Sequence, residues 1–394
     1  MRILIISRFF PYPDVTHSGG TDLFHYIKAM KLRDHQISIA SFIKKNEYRY
    51  IEDMGHYCEE INVVPALSSF GQRVLKAPAL LRFPLPWVEA ISWEMKRVVG
   101  NMLTSRSFDI VHFEHLWTTQ YFDRKYGYKT VLDEVDVDSV VFFRMYQKAK
   151  TIPQKLYYLW CWVRTVQLEV KACNLFDLVF VKSEKDRVYL NCLAPGRNIR
   201  ILAPWFEGME RHVPENDAIE RNCLLFVGNM SRAFNIQAAE YFCNNVLPLV
   251  TKDVPDVKFY IVGDAPPEQV RRLANDHVIV TGHVDDVWEY YIKCQVFVAP
   301  ILVGGGIIVK ILDALAAGRP VVCTTVGNEG IGGVSGVDLF VANSPVEFSQ
   351  RIIELFLDAK RWDEMSRNAR RFFKQRYNWN TIVSNLENAY LSIL

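Results

Sequence analysis

The chain opens with a short apolar run, Arg2–Ser7, followed by a loop with Pro11, Pro13, Gly19 and Gly20. Thr21–Leu32 then carries Leu23, Ile27, Met30 and Leu32 at roughly helical spacing, and Gln36–Phe42 is a second apolar run. Strand, helix and strand in this order are the start of a doubly wound α/β sheet, because parallel strands need a crossover between them. Further strands are expected at Glu60–Val64, Ile110–Phe113, Thr130–Asp133, Leu178–Lys182 and Ile199–Leu202, with a helix over Tyr157–Ala172. Trp205–Asn222 is charged, lacks periodicity and reads as a linker. A second series follows, with strands at Cys223–Gly228, Lys258–Gly263, Val278–Thr281, Val296–Pro300 and Pro320–Thr324. Helices are expected at Asn235–Leu247 and Ile307–Ala317, and beyond Val346 the pattern is helical almost to the end.

A chain of 394 residues favours two domains. The expected division is 1–205, 206–378, and an amphipathic final segment, 379–394, crossing back to the first domain. The net charge of +2 gives no reason to expect nucleic acid as a partner. None of the eight cysteines forms a CxxC pair, and several sit in apolar runs. They read as buried free thiols of a reducing compartment, without zinc spacing. No apolar stretch is long enough to span a bilayer, and the apolar start is too short for a signal peptide. A cytoplasmic protein is expected.

The most informative segment is Val298–Thr324, VAPILVGGGIIVKILDALAAGRPVVCT. Gly304, Gly305 and Gly306 let backbone approach a ligand closely and precede a helix N-terminus, which favours phosphate. Lys310 and Asp313 share one helix face. Gly318 can close the helix in a left-handed conformation, and Pro320 prevents its continuation. Such a constellation suits a nucleoside diphosphate: loop amides and Lys310 take the diphosphate charge, and Asp313 accepts from a ribose diol. A structural glycine turn with a surface Lys–Asp pair is the competing reading. The loop lacks the dinucleotide fingerprint, and so does Arg8–Gly20, which argues against a dehydrogenase.

This segment resembles the donor site of family 4 retaining glycosyltransferases with the GT-B fold, in the branch where a glycine loop leads to Lys-x-Leu-Glu-Ala, here Lys310-Ile311-Leu312-Asp313-Ala314. The resemblance extends to Phe226-Val227-Gly228-Asn229-Met230, Asn235, Ile261-Val262-Gly263, Thr281 to Val287 and Gly327 to Ile331. On the N-terminal side it includes Gly19-Gly20 and Val181-Lys182-Ser183-Glu184. It implies two Rossmann-like domains facing each other across a cleft, the first binding the acceptor and the second the donor, with a hinge closing over the donor. It implies transfer of a hexose-type sugar from a UDP- or GDP-sugar to a saccharide or lipid-linked acceptor, with retention and without a metal or other cofactor. The donor-binding positions it assigns are Gly19, Gly20, Gly228, Asn229, Gly304, Gly305, Gly306, Ile307 and Asp313. Lys310 and Arg232 are assigned to the departing diphosphate. The sequence departs from the pattern where Gly305 replaces a sugar-reading glutamate and Asp313 replaces the ribose glutamate.

Val131–Ser139 ends a strand with four carboxylates, Asp133, Glu134, Asp136 and Asp138. Val135 stands where the family commonly has a histidine, and Asp136 is the expected polar group for acceptor or donor hydroxyls. Helix capping by Asp136 or Asp138 is the alternative. His112, Glu114 and His115 follow another strand. His112 and Glu114 share a face, read as acceptor-lining or structural rather than metal-binding. Arg73–Arg97 and Lys155–Arg164 mix basic, aromatic and apolar residues, as a bilayer interface requires and as a helix packed on its own core also does. Two other functions stay open: a degenerate GT-B partner or scaffold, which fits the departures, and a nucleotide-sugar epimerase, which fits the acidic Asp133–Asp138 cluster.

Overall fold

The computed structural model describes residues 1–13, 15, 18–66, 79, 83–209, 211, 219–303 and 306–394. They form two compact units, Met1–Trp205 with Asn380–Leu394, and Phe206–Trp379.

The first unit is built on seven strands: β1 (Arg2–Ser7), β2 (Gln36–Ile43), β3 (Glu60–Pro65), β4 (Ile110–Glu114), β5 (Lys129–Glu134), β6 (Leu178–Val181) and β7 (Ile199–Ile201). Their order is β3-β2-β1-β4-β5-β6-β7, with every pairing parallel. Strands such as Ile3–Ile6 are buried on both faces, which is why they read as continuous apolar runs rather than alternating ones. The register sets Glu114 beside Asp133 and His112 beside Val131.

Helix α1 (Ser18–Lys31) begins earlier than the sequence predicts, so Gly19 and Gly20 lie in its first turn and not in a loop. Glycine is tolerated there because first-turn N–H groups have no intrahelical acceptor. Helix α2 (Asp138–Lys148) packs along α3 (Ile152–Leu175). The latter starts before the predicted Tyr157, with Thr151 accepting from Gln154 N and Pro153 in the first turn, where a missing N–H costs nothing.

The second unit carries β8 (Cys223–Val227), β9 (Lys258–Val262), β10 (Val278–Gly282), β11 (Val296–Ala299), β12 (Val321–Cys323) and β13 (Phe340–Val341). Their order is β10-β9-β8-β11-β12-β13, again all parallel. The single helix expected at Asn235–Leu247 is three pieces. Helix α4 (Ala233–Tyr241) widens into a π turn at Phe242–Val246 and resumes as Leu247–Asp253, where Pro248 lacks a helical N–H. Helix α5 (Val309–Ala316) ends at Gly318, whose φ of +68° is left-handed as the sequence requires.

The start of the expected linker is packed rather than free. Phe206 is buried against Phe373 and Tyr377, and Gly208 N donates to Asp313 Oδ1 at 3.0 Å. Helix α6 (Trp379–Leu391) contributes Glu387, which takes Arg33 at 2.6 Å and His35 at 2.8 Å within the first unit. All eight cysteines are free thiols, but Cys192 is exposed, against the expectation of burial.

Candidate functional site

In the second sheet the strand order reverses between β8 and β11, and ligands of such sheets bind at the loops leaving the strands' carboxyl ends there. Those loops carry Gly228–Arg232 and the run up to α5. Gly304 and Gly305 lie outside the described residues. Gly306 has a φ of +66°, and Ile307 and Ile308 lead into α5. Lys310 stands in the first turn of that helix, whose N-terminal amides favour an anion.

The Lys310 side chain turns onto β8 and α4. Its Nζ donates to Asn235 Oδ1 at 2.7 Å and sits 4.6 Å from the Phe226 ring centroid. A Cβ on Gly228 would come within 2.6 Å of that nitrogen, so glycine is what lets the ammonium lie against the chain. Asn235 Nδ2 donates in turn to the Asn229 carbonyl at 2.8 Å. Among the described residues no carboxylate pairs with Lys310. Burial without a counter-charge lowers its pKa from 10.5 to about 7.

Glycines hold the surrounding strand ends together. Gly263, at φ +142°, touches the Gly228 backbone, and an added Cβ would meet the Gly228 oxygen at 2.0 Å. An added Cβ on Gly330 would meet the Gly306 oxygen at 2.2 Å. Gly330 and Asn235 are therefore parts of this site that local sequence reading did not select, although both lie in the matching motifs.

Arg232 is exposed at the start of α4 and makes no side-chain cap. Asn229 Oδ1 accepts from Ser231 N at 2.9 Å, which shapes the same loop. Asp313 has one oxygen engaged by Gly208 N, a structural duty the sequence did not indicate. The Gly-Arg-Pro turn after α5 is structural too: Arg319 is buried and donates to the carbonyls of Tyr291 and Ile292.

The first unit gathers a buried polar network where its own strand order reverses, between β1 and β4. His112 Nδ1 meets the Tyr390 hydroxyl at 2.7 Å, and its Nε2 meets Glu114 Oε2 at 3.2 Å. Lys182 Nζ donates to Asp133 Oδ2 at 2.8 Å and lies 4.0 Å from Asp22 Oδ2. Burial pulls Lys182 down, but Asp133, Asp22 and Glu114 raise it above its ordinary value. Glu114 is raised by burial first and then by Asp133. Ligand atoms of His112, Glu114 and Asp133 lie within 4.8 Å of one another, a spacing that could hold a metal ion, yet Lys182 already supplies a cation to Asp133. Of the two roles read for His112 and Glu114, acceptor-lining or structural, the geometry favours the structural one: both are buried and bonded to each other, and His112 is bonded to Tyr390 of α6.

Asp136 stands exposed between β5 and α2, with its carboxyl raised first by desolvation and then by Asp186, while Lys182 opposes. Neither it nor Asp138 caps α2, because Val137 occupies the cap position without a side-chain bond. The capping alternative is thereby excluded. Glu134 and Glu169 are buried behind, both raised by burial first, Glu169 to about 7.

Two doubly wound parallel-sheet units in one chain define an α/β protein of the architecture found in GT-B glycosyltransferases. Residues 221–358, most of the second unit, match the family described as glycosyl transferases group 1. Over 407 aligned residues the chain is 24% identical to an uncharacterised 44.6 kDa protein in the cps region of Klebsiella pneumoniae, covering 98% of both. Its fold is similar to that of HepE from Anabaena in complex with UDP (16% identity, all of both chains, TM-score 0.67). It is also similar to sucrose-phosphate synthase from Thermosynechococcus elongatus (14% identity, 100% and 99% coverage, TM-score 0.73). A third similar fold is that of TarM from S. aureus with UDP and alpha-GlcNAc-glycerol (11% identity, 99% and 100% coverage, TM-score 0.68).

Proposed function

We propose that the chain is a GT-B glycosyltransferase. It moves a hexose-type sugar from a UDP- or GDP-sugar to a saccharide or lipid-linked saccharide, with retention and without a metal. The observation that carries this is Lys310, an enclosed ammonium with no acidic partner among the described residues, at a strand-order reversal and a helix start. A buried cation without an anion is costly, and a diphosphate completes it. As the sugar leaves, Lys310, Arg232 and the amides leading into α5 stabilise the charge growing on the nucleoside diphosphate. Asp313, on the same helix face as Lys310, receives the ribose hydroxyls. Asp136 receives hydroxyls of the sugar or acceptor, its raised pKa suiting it to exchange a proton. The match of residues 221–358 supports the class, and the UDP complexes of HepE and TarM support the donor type.

The test is a thermal-shift panel of nucleoside diphosphates and nucleotide sugars on the native chain, Lys310→Met and Asp313→Ala. A ligand that binds only the native state raises its melting temperature. One nucleotide should stabilise the native chain and lose its effect in Lys310→Met. If no nucleotide stabilises the chain, the reading fails and a partner or scaffold role takes its place. Release of epimerised donor without acceptor would instead mark an epimerase.

A further inference from the structure

Helices α2 and α3 form a hairpin whose tip has a composition unlike the rest of the first unit. From residue 139 to 168 the chain holds Arg144, Lys148, Lys150, Lys155 and Arg164 and not one aspartate or glutamate. Among the described residues no ion pair engages Lys148, Lys150 or Lys155. Arg144 lowers Lys148 after desolvation does, so the two cations lie near each other on α2. The same tip exposes large apolar side chains: Ile152 at 76%, Leu156 at 62%, and also Met145, Tyr157 and Val163. The core does not need this face. Helix α3 packs inward through Cys161, Thr165, Ala172 and Cys173, with Trp160 and Trp162 partly buried against the same core. The hydroxyl of Tyr157 meets the backbone of Leu85, a further exposed apolar residue, which widens the patch.

We propose that the α2–α3 tip is a docking surface for an anionic lipid bilayer. The aliphatic and tyrosine side chains enter the headgroup boundary, and Lys148, Lys150 and Lys155 meet lipid phosphates with their stems against the apolar layer. Charge decides the occupant. A second copy of this face would set five cations against five, whereas a negatively charged surface complements all of them. No helix among the described residues is long and apolar enough to cross a membrane, so the contact is peripheral. This deepens the acceptor half of the proposed reaction, a lipid-linked saccharide, and is measured with no sugar nucleotide present, so either idea can fail alone.

The experiment is co-sedimentation of the full chain with phosphatidylcholine vesicles, with and without phosphatidylglycerol. Binding is expected only with phosphatidylglycerol, weakened at high salt. It should drop roughly tenfold or more in Lys148→Glu/Lys150→Glu/Lys155→Glu, as charge reversal against an anionic surface requires. It should be retained when the three lysines become arginine. Ile152→Ser/Leu156→Ser should weaken it at unchanged charge, with circular dichroism and melting temperature as in the native chain. No binding to phosphatidylglycerol vesicles, or equal binding by the charge-reversed chain, overturns the proposal. So does an association of the chain with itself, or with an acidic protein, that Leu156→Ser abolishes while vesicle binding is absent.

Discussion

Lys310 shows how one residue can be costly to the fold and necessary to the site. Its folded pKa is about 7 and its ordinary value 10.5, with burial as the cause. Below about pH 7 both folded and unfolded chains carry the proton, and the penalty of enclosing an ammonium is fully present. As pH rises from there towards 10.5, the unfolded chain binds more protons than the folded one, so stability rises with pH. Lys310→Met keeps the volume and removes the charge. It should melt higher than the native chain at pH 6, with the gain shrinking above pH 7, while nucleotide stabilisation disappears. A lower melting temperature at pH 6 would show that the Asn235 and Phe226 contacts outweigh the charge penalty. Binding a diphosphate should draw a proton back onto Lys310. Calorimetry at pH 8 in buffers of different ionisation heat should then read uptake approaching one proton, absent in Lys310→Met. That Lys310 and Asp313 share one helix face was visible in the sequence because a helix face is a local pattern. The partners of each were not: Asn235 lies 75 residues from Lys310, and Gly208 lies 105 from Asp313. No periodicity carries that information.

At the scale of elements, the strands were the most legible part. Both sheets are parallel, and a strand covered on both faces is apolar along its whole length, as in Ile3–Ile6 and Leu224–Phe226. Helix ends were less legible, because capping and first-turn chemistry decide them. Gly19 and Gly20 suggested a loop, yet an N-terminal turn accepts glycine. Asp138 suggested a cap, yet Val137 takes that place and leaves Asp136 free of it. The glycine contacts between elements were legible as motifs but not as contacts. Gly330 carries the clearest consequence, since a methyl group there would overlap the Gly306 oxygen at 2.2 Å, which is backbone and cannot swing aside. Gly330→Ala should therefore push the loop before α5 out of place. The expected cost is about 1–3 kcal/mol of stability, together with at least a tenfold loss of nucleotide affinity. Gly100→Ala is the control, because nothing lies within 4 Å of its added methyl and it sits inside a helix. It should leave affinity unchanged. Normal nucleotide binding in Gly330→Ala would mean that the Gly306 loop is not the phosphate contact.

Across the whole molecule, acidic residues that looked like one active-site cluster in the sequence divide into an exposed group and a buried one. Asp136 is exposed, whereas Asp133 and Glu134 lie inside the first unit, with Glu134 beside the buried Glu169 of α3 and raised well above its ordinary range. Burial is the leading cause for Glu134 and Glu169, followed for Glu134 by the charge of Glu169, and Ser139 opposes the rise at Glu169 by donating its N–H at 2.9 Å. The consequence for stability follows from proton counts. An unfolded Glu169 loses its proton near 4.5, but the folded one holds it to about 7. Between these values the folded state binds more protons, so this group's contribution is fully present below 4.5 and is lost as pH rises through 7. A shift of that size corresponds to roughly 3 kcal/mol. Its slope opposes the one from Lys310, which begins only above about pH 7. The summed contribution of these two groups should thus fall from pH 5 to 7 and then recover in part, on top of an opposing rise up to about pH 6.5 from His25, which burial lowers to about 3. Glu169→Gln keeps an oxygen for Ser139 and removes the titration. Chemical denaturation across pH 5 to 8 should show the fall flattened in Glu169→Gln and the later rise untouched. Lys310→Met should show the reverse, with the fall kept and the rise removed. If Glu169→Gln leaves the pH 5–7 slope unchanged, the buried carboxyls are neutralised by neighbours instead of by protons. Lys182, already bound to Asp133 at 2.8 Å, would then be the residue to alter next.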